Sequence, residues 1–194
     1  SVALVDDTPV GGTCLHRGCI PTKAWLHAAE VRRTVVTAAA FGIAATLEGA
    51  DAAGVRGYAD SVVDQLHRGL RGLLAGRGVT TVAARGRLVT DGAGPAILAD
   101  GELYRGGAVV IATGASPITL GLGIDGKRLL TSEDALRLDT LPRRAIVLGG
   151  GVIGVEFASL WRDLGVEVVL VEAAERLLLG EEPGHSRILT KELR

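Results

Sequence analysis

A strand, a glycine-rich turn, a helix and a second strand follow one another in residues 145–172, and this unit constrains the fold more than any other segment. The apolar run Ala145–Leu148 predicts the first strand, Val152–Leu164 the helix and Val166–Glu172 the second strand. The G-x-G-x-x-G spacing of a dinucleotide-binding turn is formed between the first strand and the helix by Gly149, Gly151 and Gly154. The chain is therefore predicted to be an α/β protein with a nucleotide site at this turn.

The residues around this turn favour NAD. Glycine permits a tight turn and the close approach of a pyrophosphate, and the helix N-terminus offers free N–H groups to the phosphates. Glu172 ends the second strand, where an acid holds a ribose 2′-hydroxyl and repels a 2′-phosphate, and Ala173-Ala174 supply no arginine that could receive a 2′-phosphate. The predicted NAD ligands are Gly149, Gly150, Gly151, Val152, Ile153, Gly154 and Glu172. A glycine-rich turn without a ligand is the alternative.

A second match to the same spacing, at Gly121, Gly123 and Gly126, is predicted to be an ordinary surface loop. It follows no strand and opens no helix, and it carries Asp125 where a phosphate would have to approach.

Helices are predicted at three other places. A long helix begins at Cys19, with its apolar face formed by Ile20, Ala24, Ala28, Val31, Val35 and Ala38. A second long helix closes at residues 76–78 and has its apolar face formed by Val62, Leu66, Leu70 and Leu73. A short helix is expected over Ser132–Leu138 with Ser132 as its N-cap.

Strands are predicted before and between these helices. Residues 1–5 form a strand that ends near Asp6, and they are similar to the second strand of another dinucleotide-binding unit with Asp6 as the ribose acid. Four further runs predict a small antiparallel meander: Val79–Ala83, Gly86–Thr90, Ala96–Ala99 and Ala108–Ala112. Turns are expected at residues 91–95 and 100–101, and the last run is expected to be buried.

Composition excludes two classes of partner. The 194 residues are 47% hydrophobic and 22% charged with a net charge of −1, which is typical of a globular protein without a nucleic-acid surface. The longest apolar run, residues 35–45, is too short to span a bilayer, so no membrane contact is expected.

The two cysteines, Cys14 and Cys19, stand close together and suggest three roles. A metal site is disfavoured because no second Cys or His pair stands at ligand spacing, and no metal is predicted. A structural disulfide around so short a loop would contribute only about 2 kcal/mol, although that role stays open. A redox pair is favoured because Cys19 begins a helix, which stabilises a thiolate, and Lys23 lies one turn further on. Cys14 is expected in the preceding glycine-rich loop.

Four segments carry a resemblance to a known family: GGTCLHRGCIPTK, VVIATGASP, TSEDAL and VLGGGVIGVEFAS. In this order and spacing they resemble the disulfide-reductase flavoproteins, and dihydrolipoamide dehydrogenases more closely than glutathione or mercuric reductases. The resemblance implies incomplete tandem Rossmann-like FAD and NAD domains, with the antiparallel meander inserted in the FAD domain. The implied division is a partial FAD domain over residues 1–118, a connection over 119–142 and a partial NAD domain over 143–194.

The resemblance also implies four catalytic residues. Cys14 matches the cysteine that exchanges with the substrate disulfide, and Cys19 matches the one that contacts the flavin. Lys23 matches the lysine near the flavin, which the family pairs with a glutamate that matches Glu156. From the sequence alone, Glu156 is only an acid in the first turn of its helix.

The FAD ligands that the resemblance implies come from four separate segments: Asp6, Gly11, Gly12, Thr13, Cys14, Lys23, Ala84, Thr113 and Gly114. Asp6 stands where the family usually has glutamate, so a weaker ribose contact is expected.

The implied function is an NAD-linked FAD enzyme that oxidises dihydrolipoyl groups of an acyltransferase complex, as a cytoplasmic homodimer. The chain is expected to be an internal fragment, inactive by itself, without the first FAD glycine loop and the C-terminal interface domain. None of His16, His27, His67 and His185 stands in the context of the family's catalytic histidine. The alternatives are a mercuric- or glutathione-type NAD(P)H-dependent reductase and a non-catalytic nucleotide-binding remnant.

Overall fold

The structure, a computed structural model, describes residues 1–90, 92 and 94–193. Its helices are α1 Gly12–Arg17, α2 Cys19–Thr37, α3 Ala52–Gly76, α4 Ser132–Ala135, α5 Val152–Asp163 and α6 Pro183–Glu192, with a 3-10 turn at Ala38–Phe41. Its strands are β1 Val2–Asp6, β2 Val79–Ala83, β3 Arg87–Thr90, β4 Pro95–Ala99, β5 Glu102–Arg105, β6 Arg144–Leu148 and β7 Glu167–Val171. Asp91 and Ala93, within the turn predicted over 91–95, lie outside the described residues.

Two parallel strand pairs confirm the predicted α/β class. Strand β1 pairs with β2 from Val2↔Val79 to Asp6↔Ala83, and β6 pairs with β7 from Arg144↔Glu167 to Leu148↔Val171. Helix α5 connects β6 to β7, as the glycine motif predicts. In each pair the carboxyl ends of both strands meet at one edge, where ligands of open α/β sheets bind.

The antiparallel meander is present, but two of the four runs predicted to form it do not belong to it: Val79–Ala83 is a strand as predicted, but outside the meander, and Ala108–Ala112 is not a strand. The meander consists of β3, β4 and β5, whereas β2 pairs in parallel with β1. The third strand is Glu102–Arg105 because Asp100 and Gly101 both have positive φ, 48° and 81°, which is the geometry of a tight two-residue hairpin turn.

The run Ala108–Ala112 forms no strand, and the prediction that it is buried is wrong. Val110 is 86% exposed and Ile111 is 69% exposed. An apolar extended run becomes a strand only when another strand pairs with it, and no strand in the described part of the chain does so.

The hydrophobic core lies between α2, α3, α4 and α5. Trp25, Leu160 and Val166 are its largest fully buried side chains, and Phe157 meets Trp161 edge to face with 5.7 Å between ring centroids. The core thus joins residues from both predicted nucleotide domains, and the boundaries at 118 and 142 stay a prediction.

The buried faces of the two long helices differ from the predicted stripes. On α2 the buried residues are Pro21, Thr22, Ala24, Trp25 and Ala29, and Val31 is 52% exposed. On α3 they are Ala52, Ala59 and Val63, and Leu66 and Leu73 are exposed. The reason is that each helix has packed neighbours on only part of its apolar surface, and the α2–α3 contact uses alanines, whose small side chains permit close packing.

Two further features of the helices differ from the predictions, the N-cap of α4 and the presence of α1. The N-cap of α4 is Thr131 rather than Ser132: Thr131 Oγ1 accepts from the Asp134 amide at 3.3 Å, and Asp134 Oδ2 accepts from the Thr131 amide at 2.8 Å. Helix α1 was not predicted, so Cys14 lies on a short helix rather than in a loop.

Among the helices of the described residues, none is both long and apolar enough to cross a membrane.

Candidate functional site

The two cysteines occupy adjacent helix ends. Cys14 lies in α1 and Cys19 is the first residue of α2, and both are exposed and reduced. Gly11 and Gly12 allow the chain to turn into α1 with φ of 123° and 62°. A Cβ on Gly11 would lie 2.3 Å from Leu15 Cδ2, so a larger residue there would have to displace the buried Leu15 side chain.

The two thiols are close enough to influence each other. The pKa of Cys14 is raised, first because its thiol donates a hydrogen bond to Cys19, then by burial and by the negative charge that Cys19 can carry. The contact with Cys19 therefore favours the protonated form of Cys14. This contact is needed for a redox pair and equally for a structural disulfide, so the roles of both cysteines stay predictions.

The ion pair that the resemblance implies between Lys23 and Glu156 is present, and it joins α2 to α5. The Lys23 side chain is 60% exposed, and an ion pair so open to water contributes about 1 kcal/mol or less. Its importance is positional, because it connects the cysteine-bearing helix to the helix that follows the NAD turn. Its place beside a flavin stays a prediction.

A second connection between the same helices was missed by sequence reasoning. Arg32 Nη1 donates to the carbonyl oxygen of Asp163 at 2.5 Å, and Arg33 Nη1 lies 3.1 Å from Asp163 Oδ2. Arg32 also packs against Gly165, whose φ is +95° and whose added Cβ would lie 2.9 Å from Arg32 Nη2. Partners separated by so many residues in the sequence leave no local pattern that could reveal them.

Two of the predicted FAD segments meet in one cleft. Thr13 of α1 and Thr113-Gly114 line a cavity of about 340 Å³ together with Arg17 and Glu133. Gly114 has φ +76°, and a Cβ there would lie 3.8 Å from Thr13 Oγ1. Backbone, hydroxyl groups and the two charged side chains thus line the cleft, which suits the polar parts of a bound nucleotide.

The two residues predicted at the adenosine end of FAD also lie together. Asp6 ends β1 and Ala84 follows β2, and these strands are parallel and in register, so both residues stand at one sheet edge. Asp6 Oδ1 accepts from the Thr8 amide at 2.8 Å and from Thr8 Oγ1 at 2.7 Å. Its other carboxylate oxygen could accept from a ribose.

The glycines of the NAD turn have different steric requirements. Gly149 has φ +109°, and a Cβ on Gly154 would lie only 1.9 Å from the Gly149 carbonyl oxygen. Gly151 has open space around its Cα, which is where a pyrophosphate would need to approach. Val152 and Ile153, the next two predicted ligands, are both exposed at the start of α5. This open space beside Gly151, which a Cβ would partly fill, leaves room for the pyrophosphate of a dinucleotide.

Glu172 follows β7 and closes onto this turn. Its Oε2 accepts from the Gly150 amide at 2.6 Å and its Oε1 from the Ala174 amide at 2.7 Å. These hydrogen bonds, the one from Ala174 first, hold the pKa of Glu172 below its ordinary value. A negative charge is thus fixed beside the glycine turn, as the NAD prediction requires.

A groove of about 640 Å³ runs from Glu172 to α6 and was not predicted. Arg187 and Lys191 of α6 line it. Arg176 lines it too, but its guanidinium donates to the carbonyl groups of residues 178, 179 and 181. Cations therefore do stand near Glu172, so the predicted preference for NAD rests on the carboxylate charge and not on a lack of basic residues.

The second glycine motif is a closed loop, as predicted. Asp125 Oδ1 accepts from the amides of Lys127, Arg128 and Leu129 at 2.8–2.9 Å, and these hydrogen bonds, the one from Lys127 first, hold the pKa of Asp125 below its ordinary value. The carboxylate uses the amides that a phosphate would need.

As for metals, no three His, Cys, Asp or Glu side chains converge on one point anywhere in residues 1–90, 92 and 94–193.

Comparison with known proteins decides the family. The profile described as pyridine nucleotide-disulphide oxidoreductase matches residues 1–194. The chain belongs to this family.

Relatives within the pyridine nucleotide-disulphide oxidoreductases are longer than this chain. It is 37% identical to a dihydrolipoyl dehydrogenase of Bacillus subtilis over 195 residues, which cover 93% of the chain and 40% of the relative. It is also 37% identical to that of Pseudomonas aeruginosa over 198 residues, 97% of the chain and 41% of the relative. The chain thus spans about two fifths of the curated relatives it matches.

Two solved structures share the fold of this chain. LpdA from Mycobacterium tuberculosis superposes with a TM-score of 0.87 and 27% identity, covering 99% of this chain and 43% of LpdA. The flavoprotein disulfide reductase RclA from Escherichia coli gives 0.78 and 27%, covering 100% of this chain and 41% of RclA. Members of the family such as dihydrolipoyl dehydrogenase are enzymes that use FAD and NAD, which are the two predicted cofactors.

Proposed function

We propose that the chain is part of an FAD-dependent dihydrolipoyl dehydrogenase, which oxidises a dihydrolipoyl group and reduces NAD. The observation that carries the proposal is the contact between Cys14 on α1 and Cys19 on α2. Helix α2 is in turn joined to α5, the helix that follows the NAD turn, by the ion pair between Lys23 and Glu156. The relatives named dihydrolipoyl dehydrogenase support the choice of substrate. The activity belongs to a longer protein, since these relatives are more than twice as long as the match.

The cysteines would perform the disulfide exchange. One thiolate of the substrate attacks Cys14 Sγ of the oxidised pair, the Cys14–Cys19 bond breaks, and Cys19 leaves as a thiolate at the N-terminus of α2. The second substrate thiol then displaces Cys14, which yields the substrate disulfide and leaves two electrons on the cysteine pair. The raised pKa of Cys14 supports this order, because it favours a protonated Cys14 once the substrate disulfide has left.

The remaining residues would hold the cofactors. Bound FAD would accept the electron pair from the cysteines and NAD would carry it away. Residues 11–13 and 113–114 would line the flavin nucleotide, with Asp6 and Ala84 at its adenosine end. The NAD turn, residues 149–154, would hold the pyrophosphate and Glu172 the ribose, and Lys23 would place a positive charge near the reacting atoms.

We extend the proposal to the partners of the longer protein: dihydrolipoyl groups carried by an acyltransferase complex, a second copy of the enzyme in a homodimer, and a cytoplasmic location. The choice of cytoplasm rests on a cysteine pair that must cycle, in a chain with no further disulfides to build.

A second candidate is an NAD(P)H-dependent disulfide reductase that works in the opposite direction. Arg187 and Lys191 in the groove beside Glu172 favour it, because they could accept a 2′-phosphate. The two candidates differ in their nucleotide, so they are distinguished by comparing NAD-linked oxidation of dihydrolipoamide with NADPH-linked reduction of glutathione disulfide.

The decisive experiment changes each cysteine in the full-length enzyme. Cys14→Ser and Cys19→Ser should each abolish oxidation of dihydrolipoamide, since one thiol cannot complete the exchange. Both should still reduce ferricyanide with NADH, because that acceptor does not need the cysteines. His27→Ala, an exposed change on α2, is the control and should retain both activities. If both serine variants oxidise dihydrolipoamide, the cysteines are a structural pair and the proposal is wrong.

A further inference from the structure

Helix α1, which carries Cys14, depends on contacts with the rest of the protein. It has six residues, and no side chain caps its N-terminus. A helix of this length is not stable by itself in water. Its Leu15 is buried, and Arg17 lies 3.5 Å from Glu133 in a partly exposed ion pair that contributes little. The remaining anchor is His16.

His16 makes two contacts that fix α1. Its Nε2 lies 2.9 Å from the carbonyl oxygen of Val10, and because a carbonyl only accepts, Nε2 donates. Its ring meets that of His67 on α3 edge to face, with 4.9 Å between centroids and 78° between planes. The first contact closes the turn at residues 11–12, and the second fastens α1 to a different helix.

Cys19, in contrast, is fixed by α2. Pro21, Thr22 and Trp25 of that helix are buried, and Thr22 Oγ1 donates to the carbonyl oxygen of Gly18 at 2.7 Å. A displacement of α1 would therefore move Cys14 while Cys19 stays in place. The His16 contacts thus accompany the position of α1 in which the two thiols meet.

We propose that His16, held by His67, is a positioning residue that keeps Cys14 within bonding distance of Cys19 and so sets how readily the pair closes to a disulfide. This inference rests on the proposed redox function of the pair. The reaction to be measured is exchange with glutathione disulfide. Its S–S bond breaks as the Cys14–Cys19 bond forms, two electrons pass from the protein sulfurs to the glutathione sulfurs, and the two thiol protons end on two molecules of glutathione.

The test equilibrates the 194-residue chain in glutathione buffers of graded ratio, alkylates the free thiols and measures the oxidised fraction by mass spectrometry. His67→Ala should lower the equilibrium constant for closing the disulfide about tenfold, which is about 30 mV, because Cys14 loses its restraint. His67→Phe should restore it, since phenylalanine still offers a ring to His16. His27→Ala is the matched control, because His27 also meets a ring across α2 and α3, that of Tyr58.

The double variant His16→Ala/His67→Ala should lower the equilibrium constant for closing the disulfide no further than His16→Ala alone does, since both changes remove the same ring contact. The inference is overturned if His67→Ala titrates like the unaltered chain, or if the two histidine changes are additive, and the redox function would then still stand. If the unaltered chain forms no Cys14–Cys19 disulfide at any glutathione ratio, the redox function fails and this inference fails with it.

Discussion

Gly154→Ala should destabilise the protein through one steric contact. The added Cβ would lie 1.9 Å from the Gly149 carbonyl oxygen, 1.5 Å short of the 3.4 Å at which ordinary contact begins. The turn cannot move away freely, because the Gly149 amide donates to the Val171 carbonyl at 2.8 Å and the Gly150 amide to Glu172. Overpacking of this kind costs about 1–3 kcal/mol, and loss of one of these hydrogen bonds about 1 kcal/mol more, so we expect about 3 kcal/mol.

Urea unfolding followed by tryptophan fluorescence measures this loss. The chain has two tryptophans, Trp25 on α2 and Trp161 on α5, and both are buried in the core. The midpoint should fall while the slope with urea stays constant. Gly151→Ala is the matched control: Gly151 has open space and φ −74°, so only the weaker N-cap should matter, at below about 1 kcal/mol. Equal midpoints for the two variants would refute the steric reasoning.

Three further predictions concern Glu172 and α4. Glu172→Gln should lower the urea midpoint at pH 7, because a carboxylate with a lowered pKa stabilises the fold while it is ionised. The difference in midpoint from the unaltered chain should shrink as the pH falls below about 4.3, where the carboxylate becomes protonated. A difference independent of pH would contradict this. In the full-length enzyme, Glu172→Ala should narrow the preference for NADH over NADPH in steady-state kinetics, and an unaltered enzyme that uses both equally would show that Glu172 does not select the nucleotide. Thr131→Ala should cost about 1 kcal/mol in urea unfolding through the lost capping box, and Ser132→Ala clearly less; equal losses would mean that Thr131 is not the cap.

The connections between distant segments could not have been predicted from the sequence. Lys23 was paired with Glu156 only through the family resemblance, and Arg32 with Asp163 not at all. His16 and His67 are far apart in the sequence, yet their rings meet in the structure. Such contacts depend on how α1, α2, α3 and α5 are arranged in space, and single side chains far apart in the sequence carry no periodic signal of it.

The sequence by itself determined the elements whose physics is local. The βαβ unit around Gly149–Gly154 was predicted because a tight turn, a helix start and two apolar strands are each specified by neighbouring residues. The position of Cys19 at the start of α2 was predicted for the same reason, because the residues that specify this helix start are neighbours in the sequence.

Tertiary structure decided which apolar surfaces are buried and which strands pair. Residues 108–112 have the composition of a buried strand, yet they have no partner among the described strands and stay exposed, whereas Glu102–Arg105 forms a strand because a hairpin turn brings it to β4. Likewise Leu66 and Leu73 belong to a regular apolar stripe but stay exposed, whereas Ala59 joins the core and Val62, at the start of the same stripe, packs against it. Burial is a property of a residue and its neighbours together, and the neighbours are chosen only when the chain has folded.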